Sequence, residues 1–470
     1  MFDASAHAPP QGAAYSAIAP PGGASGKPLR IAIVGSGISG LSVAHTLAGR
    51  ANITLFEAAD YFGGHTHTVD VTLDGITHGV DTGFLVYNER TYPNLIALFA
   101  SLGVATARSD MSFSVQVPGA LGKGQALEWS GSSLSTVFAQ RGNLLNWRFL
   151  RMLRDLLRFN SLATQIAEAG TDAQMTQPLG DFLNQHAFSD EFRQWYFLPM
   201  IGCIWSCPTD QMLQFPVATM IRFCHNHGLL QIANRPQWHT VQGGARNYVN
   251  KILEGIADKR LNTPVQLIER VQSTDGAEGA GVRVITQGRA ERFDHVVLAT
   301  HSDQSLAMLR DASDDERAVL SAVRYQSNRA VLHTDTAVLP THRGAWAAWN
   351  YERAAGDADH QAGDSASVCL HYLLNMLQPL PFAQSVVVSL NPLREIAPSK
   401  IIAEFDYAHP VFDLAAIQAQ QHLQALQGMG NTWYCGAWTG YGFHEDGLKS
   451  GLQVARQLLI ASEALAQGMV

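Results

Sequence analysis

The pattern of apolar and polar residues near the start of the chain predicts a strand, a turn, a helix and a second strand in close succession. Residues 30–34 form a short apolar, β-branched run, which is too short for a helix and is typical of a buried parallel strand. A Gly-x-Gly-x-x-Gly sequence follows at residues 35–40. Apolar residues then recur at helical spacing over 41–47, and residues 53–56 form another strand-like run. This order predicts a βαβ unit in a parallel sheet.

The three glycines make this turn a candidate phosphate-binding loop. Gly35 permits a tight turn, Gly37 lets the backbone approach a pyrophosphate, and Gly40 lets the helix pack close to the strand. Free N–H groups at the start of the helix attract the anion. Glu57 ends the second strand at about the spacing expected for an acid that binds a ribose hydroxyl. An ordinary glycine turn is the alternative, but strand, glycines, helix, strand and acid occur here in the order that a dinucleotide site needs.

The pattern farther along the chain alternates between helical and strand-like segments. Residues 91–103 have helical spacing, and the stretch 121–234 is mostly helical. Strand-like runs occupy 263–300, and shorter ones recur between 330 and 390. A final helical pattern covers 448–459, and Glu445 and Asp446 suit its first turn.

Composition narrows the class of protein. With 470 residues, of which 46% are hydrophobic and 15% charged, the chain can bury a large core and form two or more domains. A net charge of −8 argues against nucleic-acid binding, which needs a basic face. No uncharged apolar run approaches the roughly 18 residues that span a bilayer. Residues 1–28, rich in Ala, Pro, Gly and Ser, are predicted to be a disordered leader.

The cysteines indicate a reducing compartment. There are five, an odd number spread sparsely through the chain, which suits unpaired thiols in the cytoplasm. Cys203 and Cys207 are close enough to be half of a metal site, but no second pair accompanies them in the sequence. We therefore interpret them as buried thiols and expect no metal.

The residues after the glycine loop carry a family resemblance. Glu57 to Thr66 reads E-x5-G-G-x-T and resembles the FAD signature of the flavin amine oxidase and phytoene desaturase superfamily. An arginine commonly follows this glycine pair in that superfamily, and His65 stands in its place here. Asp81-Thr82-Gly83-Phe84 is similar to the strand that wraps the isoalloxazine edge. The resemblance implies that the dinucleotide is FAD.

The end of the chain resembles the same superfamily. Residues 432–451 are similar to its closing FAD motif, in which a helix N-terminus points at the flavin pyrimidine carbonyl and stabilises the anionic reduced flavin. More particularly, DTGFLVYN at 81–88 and TYPNL at 91–95 resemble a bacterial subfamily of predicted NAD/FAD-binding proteins. Members of that subfamily often accompany cyclopropane fatty acid synthases. The resemblance extends from about residue 30 to the end of the chain.

This resemblance implies a fold and a set of cofactor contacts. The fold class is α/β, with a Rossmann-type FAD-binding domain of three-layer ββα architecture and a discontinuous α+β substrate domain, as in amine oxidases. The FAD domain is expected at 29–90, 236–305 and 425–470, and the substrate domain, with a helical insertion, at 91–235 and 306–424. The implied FAD-binding residues are Gly35, Ser36, Gly37, Ser39, Gly40, Glu57, Ala58, Gly63, Gly64, His65, Thr66, Gly83, Phe84, Val265, Gly436, His444, Glu445 and Leu448.

The catalytic candidates are fewer. Flavin amine oxidases commonly place a lysine near flavin N5, but this sequence has none between Lys259 and Lys400. Asn328 and Arg329 lie roughly where that lysine would fall, which argues against ordinary amine oxidation. Phe443 is the nearest counterpart of the family's aromatic cage and suits an apolar substrate. His444 could shuttle protons, or only its backbone N–H could matter. The candidates are thus His444, Phe443, Asn328 and Arg329.

Three functions follow from these features. We expect an FAD-dependent oxidoreductase that removes hydride from, or shifts a double bond in, a fatty acyl or other lipid chain. An amine or amino-acid oxidase is the first alternative. The second is a non-catalytic FAD-bound subunit that presents lipid to a methyltransferase partner similar to a cyclopropane synthase.

Two helical segments have alternative interpretations. Arg148, Arg151, Arg154 and Arg158 share one face of a helix with an apolar stripe, so the helix could lie on an anionic membrane surface. A solvated arginine face above core-facing apolar residues is the commoner arrangement. The apolar stretch 197–216 could line a substrate cavity or belong to the core. The predicted location is cytoplasmic, with the peripheral membrane contact as the variant.

Overall fold

The computed structural model of the chain describes most of its residues. The described ranges are 28–122, 124–169, 177–205, 209–231, 235–272, 280–353 and 368–466. Nearly all of the expected leader, residues 1–27, lies outside these ranges, as does Cys207. The cysteines that are described are free and buried, as the sequence predicts.

Helices are distributed along the whole described chain. The α-helices are Ile38–Leu47, Pro93–Leu102, Leu134–Val137, Trp147–Ala169, Leu179–Gln185, Asp190–Phe192, Leu198–Trp205, Thr209–Met212, Val217–Asn226, Arg246–Leu253, Ser302–Met308, Asp314–Ser321, Leu374–Leu377, Leu414–Leu426 and His444–Ala466. A π-helical turn spans Arg193–Phe197. Short 3₁₀ turns occur at Arg141–Leu145, Thr336–Val338, Arg343–Ala345, Pro398–Lys400, Met429–Asn431 and Ala437–Thr439. Among the described helices, none combines the length and apolarity needed to cross a bilayer.

A parallel sheet forms the centre of the nucleotide-binding part. Its strands, in spatial order, are Asp258–Arg260, Asn52–Phe56, Arg30–Val34, His295–Leu298 and Thr432–Tyr434. The chain leaves Arg30–Val34 toward one edge and returns later on the other side, so the strand order reverses at that strand. Ligands of open α/β sheets bind at the carboxyl ends of the strands beside such a reversal.

The strand Arg30–Val34 is buried on both faces, which is why it reads as a continuous apolar run. Ile31 and Ile33 pack toward the helix Ile38–Leu47. Ala32 and Val34 pack toward an antiparallel sheet on the opposite side. That sheet consists of Val265–Val271, Gly281–Thr286 and Arg289–Phe293. The layers are therefore helix, parallel sheet and antiparallel sheet, which confirms the predicted three-layer architecture.

A larger mixed sheet draws its strands from 113–130 and 324–411. Its order is Ile401–Val411, Arg324–His333, Val387–Leu390, Cys369–Leu373, Trp349–Glu352, Phe113–Val117 and Leu127–Ser130. Smaller sheets pair Thr68–Leu73 with Ile76–Asp81, and Tyr87–Asn88 and Thr106–Ser109 with Trp238–Val241. The strands of the larger mixed sheet and the helices of 134–226 form the part in which the sequence places the substrate domain. The exact domain boundaries stay a prediction.

Element boundaries differ from the sequence pattern where capping decides them. The helix Pro93–Leu102 begins at a proline and ends at Gly103, whose φ of +61° suits glycine. The final helix begins at His444, four residues before its apolar pattern does. Asp446 Oδ2 accepts hydrogen bonds from the N–H groups of Tyr441 and Phe443, which holds the preceding turn in place.

Candidate active site

A large cavity lies at the carboxyl ends of the central parallel strands. Its volume is about 850 Å³, and Val34, Phe56 and Ala299 line it at the ends of three strands or just beyond them. This volume falls within the roughly 300–1,000 Å³ typical of ligand sites. The cavity therefore lies where the strand order of the sheet predicts a ligand.

One end of the cavity is a backbone cradle made by glycines. Gly35 has φ +98°, and a Cβ there would lie 2.8 Å from the carbonyl oxygen of Ala299. A Cβ on Gly40 would lie 2.0 Å from the Gly35 oxygen, so the helix packs on the turn with no room for a side chain. A Cβ on Gly37, in contrast, would meet nothing within 4 Å, and one on Gly64 would lie 3.2 Å from the Gly37 Cα. Gly37 thus opens onto the cavity.

The first helix presents free N–H groups to this cradle. Gly37 is its N-cap; within the described structure no side chain caps the helix and no acid lies in its first turn. Such an end binds a phosphate through backbone N–H groups and the helix dipole. The open cradle and the uncapped helix therefore fit the diphosphate of FAD.

Glu57 fixes the geometry beside the cradle. One carboxylate oxygen accepts hydrogen bonds from Ser36 N and Oγ, and the other accepts one from Ala59 N, at 3.0 Å. A carboxylate has about four acceptor positions, so Glu57 can still accept a bond from a ribose hydroxyl. Val265 also lines the cavity.

The structure brings most of the implied FAD-binding residues together on this cavity. Those that line it are Gly35, Ser36, Gly37, Ser39, Glu57, Ala58, Gly63, Gly64, His65, Thr66, Gly83, Phe84, Val265, Gly436 and His444. Gly40 does not, because it packs against the Gly35 turn. Leu448 is buried within the final helix at 1% exposure. Glu445 accepts hydrogen bonds from the N–H groups of Asn94 and Leu95 and so caps another helix. None of these three residues is among the described residues that line the cavity.

Neutral histidines line the cavity. Burial lowers the pKa of His65 to about 3 and that of His409 to about 4, and also lowers the pKa of His301. His65 Nε2 is buried and has no hydrogen-bond partner among the described residues. Position 65, where the superfamily has arginine, therefore offers an unpaired ring nitrogen and no positive charge. The sequence already shows histidine in place of arginine at this position. The structure adds that His65 is neutral, because burial lowers the pKa of its ring.

His444 is held by its neighbours. Its ring stacks on Phe84 with centroids 3.8 Å apart, and its Nε2 lies 2.7 Å from the Tyr248 hydroxyl. That hydroxyl lies 2.6 Å from Thr66 Oγ1. Burial lowers the pKa of His444 to about 3 and raises that of Tyr248. A ring this enclosed stays neutral at physiological pH, which disfavours a proton shuttle and favours the alternative that its backbone N–H is the functional group.

Part of the cavity wall is aromatic. We call the part lined by Trp205, Phe223, Trp349, Tyr372 and Phe443 the aromatic chamber. Phe443 stacks on Phe223 with centroids 4.8 Å apart, and Trp205 meets Phe443 edge-on at 6.2 Å. Trp349 and Tyr372 form a T-shaped pair at 4.8 Å on the cavity wall. Cys203, Ile204 and Trp205 belong to the stretch 197–216, so part of that stretch lines the cavity as one of its two interpretations proposed. Sequence reasoning missed Phe223, Trp349 and Tyr372, because no local pattern separates them from core residues.

The structure separates the candidates Asn328 and Arg329. Neighbouring residues of a strand point to opposite faces, and Arg329 forms an ion pair with Glu404 at 2.8 Å on the outer face. Asn328 is buried and donates from Nδ2 to His409 Nδ1 at 2.9 Å. Neither candidate is among the described residues that line the cavity, so their catalytic role stays a prediction. His409 does line it; in the sequence this residue is one of several histidines that could form a metal or acid site or have a structural or substrate-domain role.

The amide network fixes the protonation of His409. Asn391 Nδ2 donates to Asn328 Oδ1 at 2.8 Å, and Asn391 Oδ1 accepts the N–H of Arg329. These bonds orient both amides, so the group that Asn328 turns toward His409 is its NH₂. Because an NH₂ group only donates, His409 accepts at Nδ1 and carries its proton on Nε2.

The fold, the open glycine cradle and the cavity along it define an oxidoreductase that binds a flavin dinucleotide. A family model for flavin-containing amine oxidoreductases matches residues 38–459, and the chain belongs to this family. It is therefore an FAD-dependent oxidoreductase, as the sequence predicts.

Solved structures agree on the fold. The fatty acid isomerase from P. acnes that produces CLA is 16% identical, with a TM-score of 0.62, over 91% of this chain and 98% of that one. Cyclohexylamine oxidase from Brevibacterium oxydans IH-35A is 16% identical, with a TM-score of 0.64, over 93% of this chain and 100% of that one. Putrescine oxidase bound to putrescine is 16% identical, with a TM-score of 0.61, over 92% and 99%. No curated protein sequence matches the chain.

Proposed function

We propose that this oxidoreductase acts on the acyl chain of a lipid, removing hydride from it or shifting a double bond in it. The absence of charge in the aromatic chamber carries the proposal. Among the described residues that line the whole cavity, Glu57 is the only one with a side chain charged at neutral pH. Glu57 lies at the cradle with Ser36, so the chamber keeps its apolar walls free of ions.

An ionic substrate would lack a partner in this chamber. A buried ion without an opposite charge is strongly disfavoured. An amino acid would need a cation for its carboxylate, and the described lining residues include no lysine or arginine. Trp349 Nε1 is buried without a hydrogen-bond partner among the described residues. One N–H donor among aromatic walls suits a neutral acceptor such as an ester carbonyl.

The chain's own residues would bind and orient the acyl chain. When bound, FAD supplies a hydride acceptor at N5. Phe443, Phe223 and Trp205 would hold the chain against the cofactor and exclude water, and His409 would offer a neutral Nε2–H donor. The resemblance to a subfamily that accompanies cyclopropane fatty acid synthases supports phospholipid acyl chains as the substrate class. The similarity of the fold to that of a fatty acid isomerase supports an acyl chain as the ligand of this protein.

The test uses the FAD-loaded protein without oxygen. Phospholipid vesicles with monounsaturated chains are added, flavin absorbance is followed, and the acyl chains are analysed by gas chromatography and mass spectrometry. A new or displaced double bond, with or without flavin bleaching, is the expected result. Bleaching by primary amines alone would make the protein an amine oxidase. Unchanged lipid and unbleached flavin with both substrates would favour the non-catalytic subunit that presents lipid to a methyltransferase.

A further inference from the structure

Large apolar side chains are exposed in one short segment of the molecule. The described structure exposes eleven large hydrophobic residues, and six of them lie between residues 134 and 157. They are Leu134, Leu144, Leu145, Trp147, Leu150 and Leu157. Leu145 is 92% and Trp147 is 65% exposed. Single exposed leucines are ordinary, but a cluster of this kind marks an interaction surface.

The long helix Trp147–Ala169 has apolar residues on two faces. Phe149, Met152 and Phe159 are fully buried and form the inner face. Trp147, Leu150 and Leu157 recur at intervals of three and seven residues and so share the outer face. The 3₁₀ turn Arg141–Leu145 precedes the helix and adds two exposed leucines. We call this outer surface, residues 134–158, the outer apolar face.

Arginines are interleaved with these apolar side chains. Residues 134–158 contain five arginines and one aspartate, a net charge of +4 in a chain whose net charge is −8. The aspartate, Asp155, is buried, and with the buried Glu191 it contacts Arg148, Arg151, Arg154 and Arg158 from the inside. These arginine side chains remain 41–70% exposed. The two buried acids contact the four arginines from the inside and hold their side chains outward. This group of six residues, four arginines and two acids, has a net charge of +2.

We propose that the outer apolar face docks on the surface of a bilayer rich in anionic lipid. Leucine and tryptophan side chains suit the boundary between headgroups and acyl chains, and guanidinium groups bind lipid phosphates with two hydrogen bonds. The opposite charges of this face and of an anionic bilayer favour that partner over a neutral protein surface. Docking takes up the membrane-surface alternative for the arginine helix and extends it to the leucines before the helix.

The outer apolar face adjoins the segment that enters the cavity. Arg148 stacks over the Trp195 ring at 5.0 Å. From there the helical segment continues through Arg193–Phe197 and Leu198–Trp205 and ends at Trp205 on the cavity wall. A membrane-bound face would therefore contact the helical segment that lines the aromatic chamber. The docking proposal itself does not depend on which substrate the chamber takes.

Vesicle flotation of the FAD-loaded protein tests the docking. We expect binding to vesicles that contain phosphatidylglycerol, weaker binding at high salt, and little binding to pure phosphatidylcholine. The double variant L145S/W147S should bind about tenfold more weakly or worse. The matched control Ile460→Ser removes a residue with the same 65% exposure as Trp147 and should bind as the unaltered protein does. Flavin absorbance and thermal unfolding establish that each variant is folded.

Three outcomes would overturn the proposal. The first is no binding of the unaltered protein to either vesicle, and the second is equal binding of L145S/W147S. The third is that the unaltered protein sediments as a dimer and L145S/W147S as a monomer, because the face would then bind a second copy of the chain. Each of these outcomes leaves the acyl-chain proposal standing, since flotation does not measure turnover.

Discussion

Asn328 donates a hydrogen bond to His409 over 2.9 Å, and this bond decides which nitrogen of the His409 ring carries the proton. The two residues belong to adjacent strands of the large sheet, Arg324–His333 and Ile401–Val411. One lies behind the cavity wall and the other on it. Asn328 is thus a positioning residue, and its partner is the group that a ligand would meet.

Replacing Asn328 by aspartate should change the protonation of His409. A carboxylate beside Nδ1 favours a proton there and raises the pKa of His409 from about 4 toward the ordinary histidine range. NMR titration of ring-labelled histidine measures the shift, independently of any substrate. Arg329→Gln is the matched control, since this neighbour lies in a surface ion pair. An unchanged titration in Asn328→Asp would show that Asn328 does not set the state of the ring.

Substitution of two glycines in the loop 35–40 should affect two different properties, FAD affinity and thermal stability. Gly37→Val places its Cβ in open space, so the protein should fold but lose FAD affinity by about tenfold or more. Gly40→Ala drives its Cβ into the Gly35 oxygen and should lower thermal stability. Flavin content and melting temperature separate the two effects. A Cβ on Gly142 would also meet nothing within 4 Å, so the control Gly142→Val should change neither flavin content nor melting temperature. Full retention of FAD by Gly37→Val would show that the diphosphate does not bind at this cradle.

The cavity histidines should make the fold sensitive to acid. The pKa values of His65 and His444 are about 3 and that of His409 is about 4, whereas unfolded histidine titrates near 6.5. Between these values the unfolded chain binds more protons, so the free energy of unfolding falls as pH drops below about 6.5. Each of these rings lowers the free energy of unfolding by up to about 2 kcal/mol by the time the pH reaches about 5. Burial raises the pKa of Asp81 to about 7, and this residue acts in the opposite direction. Between its unfolded and folded pKa values the folded chain keeps a proton that the unfolded chain loses, so the free energy of unfolding falls as pH rises.

Urea unfolding at about pH 7 and about pH 5 measures this dependence. His444→Gln should reduce the loss of stability on acidification because one ring no longer has to stay neutral. His422→Gln, at an exposed position, should leave the loss unchanged. Identical acid dependence in the two variants would mean that His444 takes up its proton without unfolding.

A charge in the aromatic chamber should abolish binding of an acyl chain. Phe443→Asp puts a carboxylate against Phe223 and should weaken binding of a fluorescent acyl-chain probe by about tenfold or more. Phe443→Leu keeps the wall apolar and should bind the probe with nearly unchanged affinity. FAD content should stay the same in both, because Phe443 is not one of the residues that form the glycine cradle. Equal probe binding by the two variants would place the acyl chain elsewhere.

Local sequence was enough for the nucleotide-binding half. The strand, the glycines 35–40 and Glu57 are close together in sequence, and their conformations depend mainly on one another. The helix at 444–466 could be anticipated too, with Glu445 and Asp446 in its first turn. The hydrogen bonds of Asp446 to the N–H groups of Tyr441 and Phe443 could not be read from the sequence. The three-layer arrangement was implied by the family resemblance, and it agrees with the burial of the strand Arg30–Val34 on both faces.

The sequence by itself determined the dinucleotide turn, the FAD family and the main elements. Only the tertiary structure decided that Asn328 meets His409, that Glu445 caps a distant helix, and that Trp349 and Tyr372 share a wall with Phe443. Those contacts join segments far apart in the chain, and they depend on which strands pair and in which register. Strand pairing is a property of the whole sheet, so no local pattern of residues could reveal it.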